Sequence, residues 1–174
     1  MKVTITLNGK SVDLDLTTEQ MKAIGLKAEK KTGYEFVDEP DLFYFVRSSD
    51  SDVSASSTSS VRHSFYKNAN FYADETVAKN NARADRLIRQ LRRFAAEHGG
   101  CISPGGALRE YCFELFCRND CDIGVVKRNM SYSFLCPALF ATKEAAEAAI
   151  EAFRDELIWY FTEYDPMAPG YWED

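Results

Sequence analysis

The residues with the clearest capacity for chemistry are basic side chains that recur every three or four positions between residues 79 and 93. This set consists of Lys79, Arg83, Arg86, Arg89 and Arg93. Because an α-helix turns by about 100° per residue, the spacing gathers all five on one helix face. Guanidinium groups bind phosphates and carboxylates with paired hydrogen bonds. The pattern predicts a surface for nucleic-acid phosphates or an acidic partner; the alternative is a solvated face partly paired with the acidic C-terminal helix.

The C-terminal stretch carries the opposite charge. Residues 144–174 hold nine acidic side chains and one basic one, whereas residues 79–98 hold six basic and two acidic ones. We predict a second, partner-binding surface formed by Glu151, Asp155, Glu163, Asp165, Tyr171, Trp172, Glu173 and Asp174. Its aromatic side chains would anchor in a basic groove, with carboxylates in place of phosphates. The alternative is a tail that folds back on its own sheet.

Signatures of catalysis are absent from the sequence. It contains no G-x-S-x-G, P-loop, H-E-x-x-H or dinucleotide fingerprint, and neither His63 nor His98 has a sequence-placed partner for nucleophilic catalysis. The cysteines are Cys101, Cys112, Cys117, Cys121 and Cys136. Their C-x3-C spacing differs from the C-x2-C of zinc knuckles, which favours small core residues over zinc ligands. We expect a non-enzymatic protein with reduced thiols and without metal or cofactor.

Length and composition are typical of one folded domain. The chain has 174 residues, of which 45% are hydrophobic and 28% charged. The net charge of −6 argues against a uniformly basic DNA-binding domain but leaves room for a local basic face. No apolar run reaches the ~18–20 residues needed to cross a bilayer, and the N-terminus lacks a signal-peptide pattern. We predict a cytoplasmic protein with a single domain over residues 1–174.

Secondary-structure patterns show how these residues would be positioned. Alternating apolar residues around an Asn-Gly pair predict an N-terminal β-hairpin in which Ile5 faces Val12. A capping box of Thr17 and Gln20 predicts a short helix after it.

The middle of the chain is predicted to hold a strand, a loop and a long helix. Residues 42–46 are aromatic and apolar, which indicates a buried strand. The following residues 48–60 include eight serines, so we predict a mobile loop there, with residues 61–66 returning to the sheet. Asp74 is a good N-cap for the helix that carries the basic residues.

The last part of the chain resembles a meander followed by a helix. Three strands are predicted at residues 110–117, 122–127 and 131–140. Thr142 caps a final amphipathic helix, and a short acidic-aromatic tail spans residues 166–174. The predicted fold is therefore α+β: an antiparallel sheet made of the N-terminal hairpin and C-terminal meander, with two long amphipathic helices packed on it.

Several segments carry a family resemblance. They are residues 1–10 (MKVTITLNGK), 31–35 (KTGYE), 66–72 (YKNANFY), 80–85 (NNARAD) through 91–94 (LRRF), and 155–164 (DELIWYFTEY). Together they resemble small acidic proteins of bacterial phages and mobile elements, some of whose relatives are similar to type II anti-CRISPR proteins. The resemblance consists of framework segments and excludes the serine-rich loop and the stretch from Cys101 to Cys121.

The resemblance implies a stoichiometric inhibitor that binds a type II RNA-guided nuclease in the bacterial cytoplasm and blocks target DNA binding or cleavage. Such nucleases hold guide and target in a strongly positive channel. The acidic end would occupy that surface, while the basic helix contacts guide RNA, target DNA or an acidic nuclease surface. Two alternatives are a nucleic-acid-binding accessory protein that uses the basic helix directly, and a homo-oligomeric structural protein whose basic and acidic helices pair between copies.

Overall fold

The computed structural model describes residues 2–7, 10–17, 20, 23–24, 31–37, 41–98, 111–118, 122–129 and 138–168. These residues form α-helices and antiparallel strands, which confirms the predicted α+β class. The described strands pair as three separate two-stranded sheets, whereas one sheet was predicted from the N-terminal hairpin and the C-terminal meander, because residue alternation indicates strands but not which strands pair. The chain divides into two compact units, Met1–Thr32 and Gly33–Asp174, which are described one at a time. The single domain over residues 1–174 stays a prediction. Within the described ranges, no helix is long and apolar enough to cross a membrane.

A β-hairpin builds the first unit. Strand β1 (Lys2–Leu7) pairs antiparallel with β2 (Lys10–Asp15). Ile5 stands opposite Val12, which is the register that a two-residue Asn-Gly turn requires. The predicted hairpin and its register are therefore confirmed.

The predicted capping box follows the hairpin. The backbone N–H of Thr17 donates to Gln20 Oε1 at 2.9 Å, and the N–H of Gln20 donates to Thr17 Oγ1 at 3.2 Å. These reciprocal bonds satisfy two donors that a helix start leaves without partners. Most of the short helix predicted beyond them lies outside the described residues.

The second unit contains eight elements. In chain order they are β3 (Phe43–Val46), β4 (Val53–Ser56), α1 (Ser59–Lys67), α2 (Glu75–Glu97), β5 (Tyr111–Cys117), β6 (Ile123–Asn129), α3 (Lys143–Ala152) and α4 (Arg154–Thr162). β3 pairs with β4, and β5 pairs with β6. A single bridge joins Phe113 to Phe140, at the end of the third predicted meander strand. Residues 131–137 of that strand lie outside the described residues.

Helix α2 is the central element of this unit. Its start is capped by Asp74, whose carboxylate accepts a hydrogen bond from the N–H of Val77 at 3.0 Å. Its buried side chains are Val77, Ala78, Ala82, Ala84, Leu87, Leu91 and Ala95. The buried surface of α2 is wider than one stripe because four elements contact this helix, namely β3, β4, α3 and α4. Leu87 is therefore fully buried, whereas its neighbour Ile88 is only partly buried.

The larger core lies between α2, α3, α4 and the β5–β6 hairpin. Its buried members are Leu87, Leu91, Ala95, Ala138, Phe140, Ala145, Ala146, Ala149, Ile150 and Leu157. The many alanines of α3 allow that helix to approach its neighbours closely, while the larger side chains supply most of the apolar area removed from water.

A smaller core joins the beginning of α2 to β3 and β4. Tyr72, Val77 and Ala78 are buried there among partly buried aromatic and aliphatic side chains. Gly33 lies against this core with φ of +88°, and a Cβ on it would stand 2.6 Å from Val77 Cγ2. Glycine is required at this position both for its backbone conformation and for the close approach.

The prediction of a mobile loop over residues 48–60 is wrong, because this stretch contains β4 and the start of α1. Val46 pairs with Val53 across a short turn, so the hairpin closes before most of the serines. Serine is tolerated in β4 because every side chain of this strand is either partly buried or exposed.

The prediction that residues 61–66 return to the sheet is also wrong, since they lie in α1. Arg62 is 2% exposed, and its guanidinium donates to the backbone carbonyl oxygens of Val37, Asp41 and Ser57. Phe65 stacks on Phe45 with ring centroids 4.3 Å apart. Arg62 and Phe65 are three positions apart, a spacing that places both on one helix face but on opposite faces of a strand.

The final helix is not continuous as predicted, because it breaks at Phe153 between α3 and α4. Phe153 leaves helical geometry and packs edge-on against Phe94, with ring centroids 5.7 Å apart. The break changes which side chains of α4 face inward. Trp159 is 8% exposed, whereas Phe161 is 37% exposed. The predicted cap at Thr142 is confirmed by its hydrogen bond from the N–H of Ala145 at 3.1 Å.

The expectation of reduced thiols is wrong for Cys112, which is disulfide-bonded and fully buried. The expectation came from the predicted cytoplasmic location, which does not indicate which cysteines the fold brings together. The Cys117 thiol donates to the carbonyl oxygen of Arg118 at 3.2 Å. Three cysteines lie outside the described residues, namely Cys101, Cys121 and Cys136.

Candidate anion-binding site

Three of the predicted basic residues of α2 border an open cleft of about 600 Å³. We call this surface the basic cleft, and its charged lining consists of Arg47, Lys79, Arg83, Arg86, Asp52 and Glu156. Side chains of α2 line most of it, together with the β3–β4 turn and one residue of α4. Its four cationic and two anionic side chains leave a local positive surplus in a chain whose net charge is −6. Such a surface favours an anionic ligand.

Arg83 is held by α4 on two sides. Its Nε and Nη2 donate to Glu156 Oε2 at 2.8 Å and Oε1 at 2.9 Å, which makes a bidentate pair. Its guanidinium carbon lies 3.9 Å from the centroid of the Trp159 ring. The hydrogen bonds between the two groups raise the pKa of Arg83 and lower the pKa of Glu156 relative to their ordinary values. Arg83 therefore positions α4 against α2 and has few donors left for a ligand.

Arg86 and Arg89 reach from α2 to the turn between β3 and β4. Arg86 Nη2 donates to the carbonyl oxygen of Ser51 at 3.2 Å and lies 3.4 Å from Asp52 Oδ1. Arg89 Nη2 donates to Ser51 Oγ at 2.9 Å. The two arginines thus converge on two adjacent residues of one turn.

Hydrogen bonds within the turn fix its shape. The N–H of Arg47 donates to the carbonyl oxygen of Asp52 at 2.9 Å, and the N–H of Ser51 donates to that of Arg47 at 3.0 Å. The N–H of Asp52 donates to Asp50 Oδ1 at 3.0 Å, which lowers the pKa of the Asp50 carboxyl. Ser51 has φ of +62°, a conformation that residues other than glycine adopt uncommonly. The turn thereby presents Ser51 and Asp52 towards α2.

The basic residues at the two ends of this face form ion pairs with acidic residues of α2 itself. Lys79 Nζ lies 2.8 Å from Glu75 Oε1, and Arg93 Nε lies 3.8 Å from Glu97 Oε1. Both pairs are well exposed, so each contributes at most about 0.5 kcal/mol. All five predicted basic residues thus share one face of α2, but Arg89 and Arg93 do not line the cleft.

A polar network centred on Asn81 fixes the end of α4 against α2. Asn81 Nδ2 donates to the hydroxyl oxygen of Tyr34 at 2.8 Å and to the carbonyl oxygen of Val77, and the Tyr164 hydroxyl donates to Asn81 Oδ1 at 3.0 Å. Burial raises the pKa of Tyr164 to about 12, and it also raises the pKa of Tyr34. The network and the Arg83 contacts together determine where the α4 wall of the cleft stands.

The predicted acidic surface is partly used inside the fold. Glu151 pairs with Arg154, and the carbonyl oxygen of Asp165 accepts a hydrogen bond from Asn80 Nδ2 at 3.2 Å. The Asp165 carboxylate accepts a bond from the N–H of Met167 at 2.9 Å, so this residue shapes the turn after α4. The side chains of Asp155 and Glu163 are exposed. The remaining predicted members, Tyr171, Trp172, Glu173 and Asp174, lie outside the described residues.

Sequence reasoning missed four residues of the site. Arg47, Ser51 and Asp52 belong to the turn before the serine-rich stretch, and Glu156 lies on α4. The closeness of Asp50 and Asp52 to an arginine was a usable signal for a charged turn, but only the contacts with Arg86 and Arg89 show that this turn faces α2. Within the described ranges, no three His, Cys, Asp or Glu side chains are grouped to hold a metal ion.

Comparisons with protein-family models, with curated proteins and with solved structures found no match to this chain.

Proposed function

We propose that this protein is a non-enzymatic, nucleic-acid-binding accessory protein whose basic cleft contacts backbone phosphates. The observation that supports the proposal is the convergence of Arg47, Lys79 and Arg86 around one open cleft in an otherwise acidic chain. Open, charged clefts suit a ligand that keeps part of its surface in water, whereas pockets for small molecules are mostly enclosed and apolar. A phosphate backbone has this character.

The ion pairs now present in the cleft would not prevent binding. Arg86 and Asp52 have side chains 48% and 64% exposed, and their charged atoms are 3.4 Å apart. Exposed pairs of this kind contribute about 0.2–1 kcal/mol, and salt weakens them further. Arginine can form two parallel hydrogen bonds with a phosphate, whereas Arg86 and Asp52 share one contact of 3.4 Å, so exchange of this carboxylate for a phosphate is favourable.

The test is binding of duplex DNA and of RNA over a series of salt concentrations. Affinity should fall steeply with salt. The double variant Lys79→Ala/Arg86→Ala, which removes two cations of the cleft, should bind about tenfold more weakly, and the slope of log affinity against log salt should become shallower by about one to two. The matched control is Arg118→Ala/Arg128→Ala, which removes two exposed, ion-paired arginines outside the cleft. Absence of binding by the wild-type protein at low salt, or equal losses in both double variants, would refute the proposal.

A second candidate is the inhibitor of a type II RNA-guided nuclease that the family resemblance implies. The exposed carboxylates of Asp155 and Glu163 favour it, because Asp155 lies on α4, Glu163 is the C-cap residue of α4, and α4 also supplies Glu156 to the basic cleft. One element would then present acidic groups to a positive nuclease channel while α2 contacts guide RNA or target DNA. The inhibitor would block target DNA binding or cleavage without being consumed.

Cleavage assays with several type II nucleases and increasing amounts of the protein distinguish the candidates. An inhibitor lowers cleavage at stoichiometric concentration and co-elutes with the nuclease on gel filtration. The double variant Asp155→Lys/Glu163→Lys should then lose inhibition, while it should leave binding of free DNA intact or strengthen it. Unchanged cleavage with every nuclease, together with salt-sensitive DNA binding, would favour the accessory protein alone.

The homo-oligomeric alternative stays a prediction. In this alternative the basic helix of one copy pairs with the acidic helix of another, yet Arg83 and Glu156 pair within one chain. Light scattering at micromolar concentration measures the outcome directly, and a monomeric mass would contradict the oligomer.

A further inference from the structure

Two arginines of α2 direct their terminal nitrogens at the same point of the facing turn. Arg86 Nη2 contacts the carbonyl oxygen of Ser51 at 3.2 Å and Asp52 Oδ1 at 3.4 Å, while Arg89 Nη2 contacts Ser51 Oγ at 2.9 Å. Arg47 Nη2 lies 3.6 Å from Asp52 Oδ2 and also pairs with Asp50 Oδ2 at 2.8 Å. Three guanidinium groups therefore surround a cluster of oxygen atoms that belongs to two adjacent residues.

The chemistry of this cluster resembles that of a bound oxyanion. A phosphate group offers several oxygen acceptors and a negative charge to surrounding arginines. Here the carbonyl oxygen, the hydroxyl oxygen and the carboxylate of the turn supply the acceptors, and Asp52 supplies the charge. We infer that Arg47, Arg86 and Arg89 form a discrete phosphate subsite, and that the Asp52 carboxylate occupies it until a nucleic-acid phosphate displaces it.

This inference rests on the proposed function and describes how phosphate binding in the cleft is regulated. Asp52 acts as an internal competitor that lowers the affinity of the cleft for phosphate. The competition is weak enough to be reversible, because the Asp52 side chain is 64% exposed and each of its contacts exceeds 3.3 Å. Ser51 does not need to leave the site, since its contacts with the arginines are neutral and its hydroxyl can also donate to a phosphate oxygen.

The variant Asp52→Asn tests the competition, because it removes the charge and keeps the size of the side chain. It should bind duplex DNA about 2–5-fold more tightly than the wild-type protein at fixed salt, which is the effect of losing an exposed competing pair. The matched control is Asp122→Asn, which removes a carboxylate 61% exposed and 3.7 Å from Arg118. An equal gain in both variants would show a general charge effect and would overturn the inference.

Inorganic phosphate provides a test that does not depend on nucleic acid. In NMR titrations of the arginine side-chain N–H signals, phosphate should shift those of Arg86 and Arg89 and leave that of Arg128 in place. The shifts should reach half-maximum at about 2–5-fold lower phosphate concentration in Asp52→Asn than in the wild-type protein. Ser51→Ala, which removes the hydroxyl contact and keeps Asp52, should not show this gain.

The two measurements separate the failure of the subsite from the failure of the function. If the protein binds no nucleic acid but phosphate shifts the Arg86 and Arg89 signals, the proposed function fails and the subsite stands. If DNA binds with equal affinity to Asp52→Asn and Asp122→Asn, and phosphate leaves both arginine signals unchanged, the subsite is overturned while the function stands.

Discussion

The guanidinium group of Arg83 lies over the ring of Trp159, with 3.9 Å between the guanidinium carbon and the ring centroid. The same group makes two hydrogen bonds to Glu156, three positions earlier on α4. Residues three apart on a helix share a face, so one arginine of α2 can contact both Glu156 and Trp159. Arg83 therefore belongs to the packing of α2 against α4 more than to a ligand surface.

The variant Arg83→Ala should lower the free energy of unfolding by about 1–2 kcal/mol, since it removes a bidentate pair and a cation–π contact. Urea unfolding of Arg83→Ala, Glu156→Ala and the double variant should give a coupling energy of about 0.5–1 kcal/mol. The matched pair is Arg128 and Glu114 of the β5–β6 hairpin, whose charged atoms are 2.9 Å apart. A coupling energy no larger than that of this hairpin pair would contradict a special role for Arg83.

The Asn81 network should also contribute measurably to stability. Tyr164→Phe removes the hydroxyl that donates to Asn81 Oδ1 and leaves a partly buried acceptor without that donor. We expect a loss of about 1 kcal/mol in the free energy of unfolding. Tyr66→Phe, at a tyrosine 48% exposed, is the control and should change stability by less than about 0.5 kcal/mol.

Buried tyrosines should make the protein sensitive to alkali. Burial raises the pKa values of Tyr72 and Tyr164 from 10.0 to about 12. A raised pKa means that the folded state holds these protons more tightly than the unfolded state, so their contribution is complete below pH 10 and is lost as the pH rises towards 12. The urea midpoint should therefore fall over that interval.

Absorbance at the tyrosinate wavelength provides the corresponding check. Two tyrosines should ionise near pH 12 in the folded protein, and they should ionise near pH 10 once urea unfolds it. Tyr72→Phe and Tyr164→Phe should each remove one late-titrating group. Ionisation of all tyrosines near pH 10 in the folded state would show that these hydroxyls are not buried.

The close approach of Gly33 to α2 leads to a test by substitution. Gly33→Ala should destabilise the protein by about 1–3 kcal/mol, because alanine is disfavoured at φ of +88° and its Cβ would clash with Val77 Cγ2. Adding Val77→Ala should relieve the clash but not the backbone strain. The double variant should therefore lose less stability than the sum of the single losses, and full additivity would exclude a steric clash at this contact.

Local patterns were sufficient to predict the fold class, the hairpin register and the helix caps. Asp74 and Thr142 each accept a hydrogen bond from a backbone N–H three positions further along the chain, and Ile5 pairs with Val12 in the register that an Asn-Gly pair predicts. Such features depend on neighbours in the sequence and are therefore readable from it.

Features that depend on distant contacts could not be predicted in this way. The break at Phe153 coincides with edge-on packing of its ring against Phe94, and no proline or glycine marks it in the sequence. Likewise the basic residues of α2 were identified by their spacing, but their partners Ser51 and Glu156 come from elements 35 and 73 positions away. A helical wheel reports the face of a helix and carries no information about which element covers it.

The contacts between α2 and the chain around α4 have a consequence for folding. Arg83 meets Glu156 at a separation of 73 residues, Asn81 meets Tyr164 at 83, and Asn80 meets Asp165 at 85. Long separations raise contact order and slow folding, since each loop must close before its contacts form. On a ribosome, residues near 80 emerge several seconds before those near 160, at the usual ~5–20 residues per second. The basic cleft is thus completed late in synthesis, when α4 provides its second wall.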